Sequence, residues 1–148
     1  MAKFTYNMQN ILDIKYKLED SAKQEYADAS RALFVEEEKL EKLHIRKNSY
    51  YQEYQDAISG KLDFKYIDEC GNAIDIMDMM IEQQNGVVKQ KSKELEMVRQ
   101  KLNQAMQERK MHEKLKEKQF EEFKHELSQN ENKENDEVVS YKFNNVEE

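Results

Sequence analysis

The sequence predicts an all-α fold: an elongated antiparallel two-helix coiled-coil hairpin with an overhanging C-terminal helix and a flexible acidic tail. Three observations predict it: the 148 residues include no Pro and only three Gly, 37% of them are charged, and the apolar residues recur in alternating steps of three and four. Strand-rich folds need frequent Gly and Pro at their turns, and βαβ folds need alternating apolar runs. This chain has neither the frequent Gly and Pro nor the alternating runs. A mean hydropathy of -1.08 suits disorder, but disorder requires no regular apolar period.

The first helix is predicted over about residues 7–58, in two heptad registers. The first register contains Met8, Ile11, Leu18, Ala22 and Ala29, with Lys15 and Glu25 as polar exceptions. The second contains Leu33, Leu40, Leu43, Tyr50, Tyr54 and Ala57, with Glu36 and Lys47 as exceptions. The change of phase between Ala29 and Leu33 predicts a stutter, which locally unwinds a coiled coil.

A short reversal is predicted at about 59–63, where Gly60 is permissive and Asp63 can cap the next helix. The second helix then runs over about 64–127. Its seam contains Ile67, Cys70, Ile74, Met77, Ile81, Val88, Leu95, Val98, Leu102 and Ala105. Asn85 followed by Gly86 is a turn signal, but the seven-residue spacing continues past it and favours one unbroken helix.

Two long helices joined by so short a connection must run antiparallel. Layering of their seams favours a pairing in which residue numbers sum to about 124, which places Ala57 opposite Ile67 and Glu36 near Lys91. A shift of one heptad preserves the layers but compresses the turn. The predicted organisation is therefore a coiled-coil hairpin over 1–128 and a flexible acidic tail over 129–148.

Composition also limits the functions that the chain can have. A formal net charge of -7 opposes the binding of phosphate backbones, so nucleic acid is not an expected partner. No stretch is apolar for long enough to span a membrane, and the N-terminal residues lack the apolar core of a signal peptide. A single Cys at a seam position indicates a buried side chain in a reducing compartment, so we expect a cytoplasmic protein.

The sequence predicts no enzyme, cofactor or metal site. The three Gly form no phosphate-binding loop, and His44, His112 and His125 are too far apart for a helical metal site. Met77, Met79 and Met80, close to Tyr50 and Tyr51, suggest instead an adaptable contact surface near the reversal. Ordinary packing of Met77 and solvent exposure of the other methionines is the alternative interpretation.

Several short motifs, in this order and spacing, resemble the FliJ family of bacterial flagellar export proteins over nearly the whole chain. They are Phe4-x-Tyr6-x-Met8-x-x-Ile11-Leu12, the stretch from Lys39 to Tyr54 leading into Ser59-Gly60, Ile81-Glu82-Gln83, the run from Leu115 to Phe123, and Asp136-Glu137 followed by Lys142-Phe143.

The resemblance implies a non-enzymatic stalk of the flagellar type III protein export apparatus, used in flagellum biogenesis and motility. Its implied partners are the hexameric flagellar export ATPase, the cytoplasmic domain of the export gate and export chaperones, at the cytoplasmic face of the cell membrane as a peripheral component. Two alternatives stay open, a prefoldin-like hairpin holdase chaperone and a structural coiled-coil rod. The gate-binding residues that the resemblance implies are Leu43, Tyr50, Ala73, Met77, Met80 and Gln84.

Overall fold

The computed structural model describes residues 2–147, which form two helices and no strand. Helix α1 spans Gln9–Ser59 and helix α2 spans Phe64–Glu147. The two helices pack against each other in antiparallel directions, which confirms the all-α coiled-coil prediction. Their contacts divide into a hairpin unit, Ser21–Asn103, and a terminal unit, Met1–Asp20 with Gln104–Glu148.

The hairpin unit packs the seam residues of α1 against those of α2 around Cys70, Met77 and Ile81, which are 4%, 5% and 8% exposed. Two ion pairs cross this unit. Lys47 Nζ lies 2.5 Å from an Asp78 carboxylate oxygen, and Lys101 Nζ lies 3.0 Å from Glu25. Both pairs agree with the favoured register and exclude the shifted one. Helix α2 also passes through Asn85 and Gly86 without a break.

The connection between the helices is capped on both sides. At the end of α1, the Gly60 amide donates to the Asp56 carbonyl at 3.1 Å, and the Ser59 hydroxyl donates to the Gln55 carbonyl at 2.9 Å. At the start of α2, the Tyr66 amide donates to the Asp63 carboxylate at 3.3 Å. This is the cap predicted for Asp63, and it satisfies an amide that has no partner within its own helix.

The terminal unit packs the first turns of α1 against α2, and the residues before α1 add aromatic contacts. Phe4 lies against Phe120 and Phe123, with ring centroids 5.1 and 5.5 Å apart. Tyr6 is only 5% exposed. These contacts fix the chain that enters α1 to the side of α2, because aromatic rings bury much apolar area and pack favourably edge to face.

The predicted stutter in α1 is wrong. Leu12 and Glu19 are 2% and 4% exposed, whereas Ile11 and Leu18 are 39% and 48% exposed. Glu25, predicted at the seam, is also exposed. With Leu12 and Glu19 in the seam, the steps alternate between four and three throughout α1 and no residue is inserted. The prediction failed because apolar residues were assigned to the seam. Ile11 and Leu18 are apolar, whereas Glu19, which does occupy the seam, is charged.

The predicted end of the second helix near residue 127 is also wrong, because α2 continues to Glu147. No Pro or Gly interrupts this last stretch, so nothing in it forces the helix to stop. The side chains of 124–144 are all exposed, and none of them packs against α1. The flexible tail over 129–148 stays a prediction.

We expect backbone amides beyond Ser128 to exchange with deuterium within seconds, while those of 67–105 are protected for much longer. A helix with no packed face is marginally stable in water, and it opens independently of the coiled coil. Hydrogen–deuterium exchange with peptide-level mass spectrometry measures both segments in one experiment. Equal protection in the two segments would show that the tail is held by contacts of its own.

Candidate docking surface

The six predicted binding residues all lie in the hairpin unit, but the structure places them in two different environments. Leu43, Tyr50, Met77 and Gln84 occupy the seam between α1 and α2, where Met77 is buried and the other three are half-buried. Ala73 and Met80 lie beside the seam on the flank of α2, where Met80 is 39% exposed. Ala73 is half-buried as well, so Met80 is the one of the six whose side chain is exposed to a partner while the hairpin stays closed.

Ala73 and Met80 belong to a longer apolar stripe on α2, the flank stripe. Four of its members repeat every seven residues next to the seam, and the fifth lies one helical turn from one of these four. All five therefore share one side of the helix. Their exposed fractions are 43% for Tyr66, 54% for Ile76, 39% for Met80 and 39% for Val87. The flank stripe is Tyr66, Ala73, Ile76, Met80 and Val87.

Tyr66, Ile76 and Val87 were missed as candidate site residues. The seven-residue step from Tyr66 through Ala73 and Met80 to Val87 is visible in the sequence and could have identified them. This repeat is hard to recognise because the aliphatic residues of the seam beside it form a more regular apolar pattern. Met79 is 64% exposed and lies outside the seven-residue repeat, about 100° around the helix from Met80.

A polar layer crosses the seam at one end of the flank stripe. The Gln84 side-chain amide donates to the Glu36 backbone carbonyl at 2.9 Å and to the Glu36 carboxylate at 2.6 Å. Lys39 donates to the same carboxylate at 3.1 Å. The Gln84 hydrogen bond, and then that from Lys39, lower the pKa of Glu36 below its ordinary value of 4.5. Gln84 is therefore occupied inside the hairpin and is a poor candidate for direct contact with a partner.

We expect the stability of the protein to decrease as the pH falls below the ordinary carboxyl range. The pKa values of Glu36, Glu108 and Glu113 are all lowered in the folded chain, chiefly by hydrogen bonds from Gln84, Lys15 and Tyr16 respectively. A lowered folded-state pKa contributes stability that is present above the unfolded-state pKa and lost as the pH falls through the folded-state pKa.

Thermal unfolding followed by circular dichroism between about pH 7 and pH 3 tests this sign. The melting temperature of a Glu36→Gln variant should depend less on pH than that of the parent chain. A melting temperature that rises as the pH falls below about 4.5 would contradict the assignment.

The terminal unit contains a charged cluster that the sequence did not predict. Arg109 Nε donates to Glu19 Oε2 at 2.6 Å, its Nη2 donates to Glu19 Oε1 at 3.1 Å, and its Nη1 donates to Glu113 at 3.1 Å. Tyr16 donates its hydroxyl hydrogen to Glu113, which raises the pKa of Tyr16. Both carboxylates, Glu19 first, raise the pKa of Arg109. The cluster replaces an aliphatic layer of the seam with a bidentate ion pair.

The described residues show little that could support chemistry. Within residues 2–147 no group of His, Cys, Asp and Glu side chains could hold a metal ion. Cys70 is 4% exposed, as its seam position predicts. No helix in that part of the chain is both long and apolar enough to cross a membrane. The surface features that remain in this part of the chain are exposed apolar stripes and charged side chains.

Two comparisons with known proteins match the chain. The family model described as "Flagellar FliJ protein" matches residues 4–148. Among solved structures, a protein of Chlamydia trachomatis described as a YscO homolog, CT670, is similar, with a TM-score of 0.60 and 21% identity over 93% of this chain and 94% of that chain. At that identity the structural likeness shows a shared fold. No curated protein matches at a significant level.

Proposed function

The chain belongs to the flagellar FliJ protein family, and we propose that it is a non-enzymatic stalk of the flagellar export apparatus that binds the hexameric export ATPase and the export gate. Family membership supports the coarser statement, a component of a flagellar, type III export system. The observation that carries the proposal is the match of the family model to nearly the whole chain, residues 4–148.

The mechanism that we propose is mechanical. The coiled coil touches the ATPase and the gate at the same time, so that ATP hydrolysis is coupled to export. It also handles export chaperones. The flank stripe suits the gate contact, since it is an exposed apolar surface that includes an adaptable Met and a Tyr, two residue types enriched at protein interfaces. We place the protein in the cytoplasm, peripheral at the cytoplasmic face of the cell membrane.

A test of the ATPase contact combines the purified full-length chain with the purified export ATPase. We expect the chain to be retained with the ATPase in a pull-down, to promote hexamer formation in analytical ultracentrifugation and to raise the rate of ATP hydrolysis. An unrelated antiparallel coiled coil of similar length and net charge is the control. If neither assembly nor hydrolysis changes beyond this control, the proposal that the chain acts on the ATPase is wrong.

A further inference from the structure

The terminal unit exposes an apolar surface that its coiled-coil seam does not use. On α1, Ile11, Ile14 and Leu18 are 39%, 54% and 48% exposed, and their steps of three and four place them on one side of the helix. On α2, Met111 and Leu115 are 54% and 39% exposed and lie one turn apart. We call these five residues the terminal stripe pair.

The ion pair between Lys15 and Glu108 shows that the two stripes lie on the same side of the unit. Lys15 Nζ is 3.0 Å from Glu108 Oε2. Lys15 is four residues from Ile11 and three from Leu18, and Glu108 is three residues from Met111, so each charged residue neighbours one stripe. The stripes therefore border the same groove between α1 and α2. The other side of the unit is polar and contains the Tyr16–Glu113 and Gln9–Lys116 hydrogen bonds.

The charges around this groove are predominantly basic. Lys114 and Lys118 line a shallow depression together with Met111 and Leu115. Lys17 lies one turn from Ile14 on α1, and none of these three lysines forms an ion pair within the described residues. Glu108 is already paired with Lys15, and Glu122 stands at the far end of the stripe on α2.

We propose that the terminal stripe pair is a docking groove for an acidic amphipathic helix of a partner protein. Apolar residues at helical spacing on both sides of a groove can accept the apolar face of a third helix. Carboxylates on the flanks of that helix would meet Lys17, Lys114 and Lys118, which set its charge preference and orientation. This surface is separate from the flank stripe, and its test does not require the proposed stalk function.

Two other occupants fit the observations less well. A second copy docked groove to groove would bring the three lysines against their own images, because a twofold interface uses the same patch on both partners. An anionic membrane would also attract the lysines, but a bilayer surface is flat and does not fill a groove between two helices, as a third helix does. The acidic helix satisfies both the apolar stripes and the basic rim.

The probe for the test is a fluorescein-labelled peptide of about 18 residues with Leu along one helical face and Glu on its flanks. We expect the full-length chain to bind it, and salt to weaken the binding. A peptide with Lys in place of Glu, and one with the same composition but a scrambled stripe, should bind at least about tenfold more weakly. Equal binding of all three peptides would overturn the proposal.

Variants of the protein locate the binding site. An Ile14→Glu/Met111→Glu variant should lose at least about tenfold in affinity for the Glu-flanked peptide, since it places charge in the centre of the apolar surface. Ile45→Glu, at a site 60% exposed in the hairpin unit, is the matched control and should bind like the parent chain. A Lys114→Glu/Lys118→Glu variant changes only exposed charges and should reverse the preference between the Glu- and Lys-flanked peptides.

Two further measurements can contradict the choice of occupant. If sedimentation shows a dimer of the parent chain that Ile14→Glu/Met111→Glu converts to a monomer, the groove is an interface between copies of this chain. Co-sedimentation with phosphatidylglycerol-containing vesicles that is lost in the same variant would show a membrane site. Either result overturns the proposal, as does unchanged peptide binding by both double variants.

Discussion

Replacing Arg109 with Met is expected to lower the free energy of unfolding of the terminal unit well beyond the effect of breaking an exposed ion pair, because it removes two charge-assisted hydrogen bonds from the buried Glu19 carboxylate. The Glu19 side chain is 5% exposed, and Arg109 supplies two hydrogen bonds to it. Met preserves the length and apolar stem of the Arg side chain, so the loss reports the missing charge more than a cavity. Thermal unfolding by circular dichroism and hydrogen exchange in residues 9–20 measure the effect.

The double variant Glu19→Leu/Arg109→Met separates the cost of removing one member of the ion pair from the value of the pair itself. It places an aliphatic layer where the charged layer was, and we expect it to regain most or all of the stability lost in Arg109→Met. An Arg99→Met variant is the matched control. Arg99 also makes a bidentate pair, with Glu96 at 2.8 and 2.5 Å, but this pair lies on the exposed surface of α2.

The control variant should change the free energy of unfolding much less than Arg109→Met does, because exposed ion pairs contribute little. Equal losses for Arg99→Met and Arg109→Met would mean that the buried pair has no special structural role. A double variant that is less stable than Arg109→Met alone would mean that the charged layer is itself stabilising. The Glu19→Leu/Arg109→Met variant also tests whether the Glu19–Arg109 layer fixes the register of α1 against α2 in the terminal unit.

The hairpin unit could be predicted from sequence because its seam is aliphatic. Ile74, Met77, Ile81 and Val88 repeat in one phase, and the energy of burying them decides which side of α2 faces α1. The register followed from the same layers once the turn was located. A hydrophobic pattern is sufficient to predict which residues face the partner helix where hydrophobic burial is the main stabilising interaction.

The terminal unit could not be predicted in the same way because its seam is polar. Glu19, Arg109, His112 and Lys116 stand at seam positions of this unit, and none is a buried residue by type. Arg109 pairs with Glu19 from 90 residues away along the chain, and Lys116 with Gln9 from 107, which a local pattern cannot reveal. Ile11 and Leu18 therefore looked like seam residues, and their exposure became known only from the structure.

The candidate docking surface shows a similar limit. The six residues predicted for it share a stretch of the hairpin, but periodicity near a strong seam does not separate side chains that close the hairpin from those that face outward. Met77 and Met80 are three residues apart, but the Met77 side chain is 5% exposed and the Met80 side chain is 39% exposed. The distinction determines which substitutions can report on binding.

A Met80→Glu substitution is expected to weaken binding of the chain to the cytoplasmic part of the export gate by about 10- to 100-fold without unfolding the hairpin. Met80 stands near the centre of the flank stripe, and a carboxylate there would be desolvated by any partner that covers Ile76 and Val87. Because Met80 is already 39% exposed, the free chain loses little packing. Surface plasmon resonance with the purified gate domain measures the affinity.

Met79→Glu is the matched control, since it adds the same charge one residue away, about 100° around the helix from Met80, at a side chain that is 64% exposed. We expect it to bind within about twofold of the parent chain. Alanine variants of Tyr50 and Met77 are poor tests by comparison, because truncating a buried Met costs about 2–5 kcal/mol and opens the seam. If Met80→Glu and Met79→Glu bind the gate equally well, the flank stripe is not the gate contact. If both lose binding equally, net charge and not the stripe controls the interaction.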